Sequence, residues 1–112
     1  MSTPVSLPIA KLLKEKGWDK PVDSRWFYDT EYFEYKLSIK GATKWTPGEE
    51  SSYPAPTVDE VKWWLYEKHR IWISVYSIDD STIFRHCFSN INFNSPTEAY
   101  EAAIEYTLNN LL

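Results

Sequence analysis

The run "PTVDEVKWWLYEKHRIWISVYSI", Pro56 to Ile78, changes its period with no glycine or proline after its first residue. Thr57 and, three residues on, Glu60 make a capping box, and Val58, Val61 and Leu65 recur at helical spacing. This pattern predicts a helix from about residue 58 to 69. Ile71, Ile73 and Val75 then alternate with Trp72 and Tyr76, the period of a strand. A chain holding both periods back to back has to lay a helix against a sheet, which restricts it to mixed architectures.

The same periodicity sorts the aromatics. At about 100° per residue, Val58, Val61 and Leu65 set the core direction of the helix, with Trp64 on its flank and Trp63 nearly opposite. On the strand, Trp72 and Tyr76 leave by the face that the Ile71/Ile73/Val75 core does not use. Trp63, Trp72 and Tyr76 are therefore expected at the surface. Apolar rings together at a surface mark an interface, so Trp63 and, separately, the Trp72/Tyr76 pair are candidate contacts for a protein partner, most simply a homodimer; the alternative is that the 41–56 connection folds over them.

Elsewhere the elements follow from local rules. In "SLPIAKLLKEKGWD", Ser6 can cap, Pro8 sits in the first turn, and Ile9, Leu12 and Leu13 form a stripe. Gly17 falls where a left-handed stop is wanted, with Trp18 placed to fold back on Leu13. "WFYDTEYFEYKLSIKG" alternates, with Phe33, Tyr35, Leu37 and Ile39 expected on the buried face, and Trp26–Tyr28 as a shorter strand joined through Asp29–Glu31. Residues 41–56 read as one long irregular connection, and "TIFRHCF" pairs with the Ile71–Ile78 strand across Asp79–Ser81. Ser95, Pro96 and Glu98 open a last helix whose apolar face runs from Tyr100 to Leu111. The expected fold is a single α+β domain over residues 1–112: a three- to four-stranded antiparallel sheet with about three helices, in the order α-β(β)-α-β-β-α.

"SLPIAKLLKEKGWD", "APTVDEVKWWLYEKHRIWISV" and "SPTEAYEAAIEYTLNNLL" together resemble small uncharacterised proteins encoded by phages and prophages of gut anaerobic bacteria. The shared landmarks are the Pro-Thr helix start, the Trp-Leu pair and the late Glu-Ala-Tyr-Glu-Ala-Ala helix. They are packing and capping patterns, so the resemblance implies a common fold and an accessory role, and transfers no catalytic residue.

Composition argues against several functions. A net charge of −4 with Lys and Arg spread singly offers no track for a phosphate backbone, so no nucleic acid is expected. No run approaches the ~18 apolar residues of a membrane span. Cys87 is alone, which excludes an intrachain disulfide and makes a cytoplasmic home the default; it reads as a small buried hydrophobe. His86 and Cys87 are neighbours on a strand and point to opposite faces, so they form no dyad. His69 is placed to complement the carbonyls at a helix end. The isolated glycines make no phosphate loop, and neither the histidines nor Asp79–Ser81 has metal-ligand spacing, so no catalytic residue, metal or cofactor is expected. A rival reading from another class is a small-molecule binder or enzyme whose pocket is lined by Trp45, Tyr53, Trp72 and Tyr76, with His86 as its polar group.

Overall fold

The computed structural model describes residues 3–39, 45–78 and 83–112, and the chain falls into two compact units, residues 4–56 and residues 57–112 with Thr3. Among the described residues there are three helices and five strands in two antiparallel sheets, an α+β fold in the expected order with one strand added. The expected turn at Asp79–Ser81 and the start of the 41–56 connection lie outside the described residues.

In the unit of residues 4–56, helix α1 (Leu7–Glu15) buries Ile9, Ala10 and Leu13. Ser6 is its N-cap residue, but the hydroxyl makes no capping hydrogen bond. The other end stops as expected: Gly17 has φ +91°, Trp18 N–H donates to Leu13 O at 2.9 Å and Gly17 N–H to Lys14 O at 3.3 Å. These two bonds are the Schellman pattern, and Trp18 is buried beside it.

Strand β1 (Arg25–Asp29) is the centre of a three-stranded sheet, paired with β2 (Glu34–Ser38) on one side and β3 (Ser52–Pro54) on the other. Asp29 closes the β1–β2 connection by accepting the N–H groups of Glu31 and Tyr32, a side-chain turn that needs no Asn-Gly pair. The expected buried face of β2 is corrected here. Phe33 is 79% exposed at φ +55°, inside the connection, and Tyr35 and Ile39 are exposed as well. The reason is position: β2 is an edge strand, while α1 packs on β3 at the opposite edge. Residues expected to be irregular supply that opposite edge, because Ser52–Pro54 pairs with β1 and Trp45 bridges Val22.

In the unit of residues 57–112, helix α2 (Val58–His69) carries the full capping box: Thr57 Oγ1 accepts Glu60 N–H at 3.2 Å and Glu60 Oε1 accepts Thr57 N–H at 3.0 Å. Val58, Val61, Trp64 and Leu65 are buried. Strands β4 (Val75–Ile78) and β5 (Ile83–His86) form a two-stranded ladder, with Val75 opposite His86 and Ile78 opposite Ile83. Helix α3 (Pro96–Asn110) packs on both strands and on α2, burying Ala99, Ala103, Ile104, Thr107 and Leu108. Ser95 Oγ caps it by accepting Glu98 N–H, whereas the Glu98 carboxylate turns to Asn94 N–H and leaves the second capping box half made. Leu111, expected at the end of the apolar face, is exposed. Cys87 lies one residue beyond β5 and is exposed, contrary to the buried position expected for it within a strand.

Candidate functional site

Helix α2 ends at Arg70, which takes the left-handed conformation at φ +58°. Its N–H donates to Tyr66 O, and the next amide, Ile71, reaches back to Leu65 O. The chain therefore reverses at once instead of running on into a strand. Residues 71–74 lie outside the strands, although Ser74 O accepts the Cys87 N–H at 3.0 Å, and alternation survives in them: Ile73 is buried while Trp72 and Ser74 face out.

This reversal brings Trp72 onto the outer face of α2. Its ring lies 5.3 Å from that of Trp63 and 5.6 Å from that of Tyr66, and Trp63 and Tyr66 are 6.2 Å apart. All three pairs meet edge to face, at interplanar angles of 64°, 85° and 85°. The rings remain 52%, 48% and 41% exposed for Trp63, Trp72 and Tyr66. Three partly exposed aromatics in mutual contact form one apolar patch rather than scattered surface rings.

Cations frame it. Lys62 Nζ stands 5.5 Å from the Trp72 ring centroid and 4.5 Å from that of Tyr100, and it faces Asp59 at 3.9 Å. Arg70 holds its guanidinium 5.7 Å from the Tyr66 centroid. Rings touching at about 5–6 Å leave no gap between them for a caged ammonium, and the flanking cations would repel one.

Of the expected interface residues, Trp63 and Trp72 thus meet, whereas Tyr76 lies outside the ring cluster, on β4 opposite Arg85, and is exposed. Tyr66 belongs to the patch and was not singled out by periodicity. Its signal was available, since it follows Trp63 by three residues on the same helix face.

The residues of the rival pocket divide between the units: Trp45 and Tyr53 belong to residues 4–56, and Trp72, Tyr76 and His86 to residues 57–112. Trp45 is buried, its indole N–H donating to Ser52 O at 3.3 Å, so it is a core residue of its sheet. Tyr53 on β3 is half-buried, with Lys11 and Lys14 ammonium groups 5.6 and 5.0 Å from its ring centroid. Burial, together with neighbouring Tyr35, raises the pKa of its phenol above the ordinary value.

His86 is buried on β5 at one wall of an open cleft of about 320 Å³, lined also by Ser89, Phe93, Glu105 and Tyr106. Its Nδ1 accepts the Phe88 amide N–H at 3.1 Å, which assigns the neutral ring's proton to Nε2, facing Ser89 Oγ at 3.4 Å. A base toward Ser89 would need the opposite tautomer, with Nε2 bare and Nδ1 carrying the proton. Desolvation lowers the pKa of His86, in keeping with a neutral ring. His69, at the end of α2, packs its ring 4.9 Å from that of Trp64, and its Nε2 is buried without a hydrogen-bond partner among the described residues.

Among the described residues no helix is long and apolar enough to cross a membrane, and no three His, Cys, Asp or Glu side chains converge as a metal ion would need. Comparison of the chain with protein-family models, with curated proteins and with solved structures gives no match.

Proposed function

We propose that this chain is a non-enzymatic protein-interaction domain, an accessory protein of the phage and prophage type, cytoplasmic, that docks a protein through the outer face of α2 and the segment after it. The observation that supports this reading is the Trp63–Tyr66–Trp72 patch. Trp and Tyr are the side chains that most often anchor protein interfaces, because each brings a large rigid apolar area and loses little rotamer freedom on contact. The His86 tautomer supports the non-enzymatic half, since the Ser89 hydroxyl beside it faces a ring proton instead of a ring lone pair.

The test is affinity capture with the native chain against Trp63→Ala, after both are shown folded by circular dichroism. A protein held by the native chain and lost from the variant is the expected result. Identical recovery on both would remove the patch from the interface and with it the main support for this reading.

A further inference from the structure

The outer face of α2 has an order of groups that suits a second copy of itself. Asp59, Trp63, Tyr66 and Arg70 follow one another at intervals of four, three and four residues, so they share one stripe of the helix. The stripe begins with a carboxylate, passes through two aromatic rings and ends with a guanidinium. Asp59 and Arg70 lie equally far from the point midway between Trp64 and Leu65, and so do Trp63 and Tyr66. A twofold axis through that point sets Asp59 of each copy against Arg70 of the other, at both ends, with Trp63 against Tyr66 in the middle. A parallel alignment would instead set like charges together. Antiparallel helices also oppose their dipoles.

We propose that the chain forms a twofold homodimer by antiparallel packing of α2 on α2, with Trp63, Tyr66 and Trp72 at its centre and Asp59–Arg70 pairs at its rims. This rests on reading the patch as a protein contact, and it names the partner. Isologous contacts require a self-complementary surface, which this stripe supplies. Arg70 is held at the rim by the Tyr66 ring, and its guanidinium has no carboxylate partner among the described residues. Asp59 faces Lys62 at 3.9 Å and has a further partner within its own chain, but its side chain stays half-exposed, so the solvent-facing edge of the carboxylate can also meet a guanidinium from outside. Of the other charged groups on α2, Glu60 is engaged in the capping box, Lys62 lies over Trp72, and Lys68 lies over Trp64, outside the stripe. Glu67 falls on the flank away from Lys62.

Sedimentation equilibrium of the full chain reads the association. The native chain is expected to dimerise, and Trp63→Ala, Arg70→Glu and Asp59→Lys each to raise the dissociation constant at least about tenfold. The discriminating sample is an equimolar mixture of Arg70→Glu with Asp59→Lys. In the antiparallel register each altered position meets the other variant's altered position with opposite charge, so the mixture regains a dimer that neither forms alone. Thermal melts confirm folding, and Asp59→Asn replaces Asp59→Lys in the single-variant series if the added cation disturbs the first turn of α2. A dimer indifferent to both charge reversals overturns this register. A native chain that stays monomeric overturns the self-association; if Trp63→Ala still abolishes capture of another protein, the patch remains an interface and only its occupant was misassigned, whereas unchanged capture removes both readings.

Discussion

Trp63 and Trp72 meet edge to face, with centroids 5.3 Å apart, one carried by a helix and the other by the extended segment beyond its end. Each ring alone looks like an ordinary exposed aromatic. Joined, and extended by Tyr66, they form a surface with a defined shape.

That relationship separates two adjacent tryptophans by consequence. Trp64 is buried in the core of its unit, and Trp64→Ala should cost about 3–5 kcal/mol, the range for deleting a buried aromatic. Trp63→Ala gives up two edge-to-face contacts made at the surface and should cost only about 1 kcal/mol. Urea denaturation of both variants checks the ratio. Equal losses would mean that Trp63 is a core residue.

His86 sets a pH dependence. Its unfolded pKa is near 6.5 and desolvation holds the folded value lower. The unfolded chain therefore binds the proton more readily, and the ring's contribution to stability is intact above the unfolded value and is lost as pH falls toward and through the folded one. The urea midpoint should be lower at about pH 5 than at about pH 7.5. His86→Asn keeps an acceptor near the Phe88 amide but cannot titrate, so it should shrink that difference. An undiminished difference would assign the titration to other groups.

The helix caps differ in worth although both begin with a hydroxyl residue. Thr57→Ala removes one bond of a reciprocal pair and should destabilise by about 0.5–2 kcal/mol. Ser6→Ala removes no capping bond and should be near neutral. Thermal melts of the two variants give the comparison directly.

Features set by neighbours in sequence were legible before any coordinates. The Gly17 stop, the Thr57–Glu60 box, the Val58/Val61/Leu65 core and the outward turn of Trp63 all depend on residues within about one or two helical turns. What failed depended on position within a sheet. Phe33, Tyr35 and Ile39 alternate as a buried face should, and nothing in that alternation says that Phe33 and Ile39 fall just outside β2, or that β2 lies at an edge with α1 on the far side. Ser52–Pro54 carries too short and too proline-rich a pattern to announce a strand, and it becomes one because β1 offers it a free edge. Half of the patch was legible for the same reason: Trp63 and Trp72 could each be placed outward, but their meeting depends on how sharply the chain turns between them.

That turn makes the patch a matter of phase. Arg70 holds a backbone angle that glycine would adopt without strain, and from it the chain counts two residues to Trp72. One residue added between Arg70 and Trp72 would exchange the inward and outward positions of the segment, driving the indole toward the place of Ile73 and an isoleucine out beside Trp63. The surface is therefore tuned by length as much as by composition: every residue type could be kept while a single-codon insertion erased it.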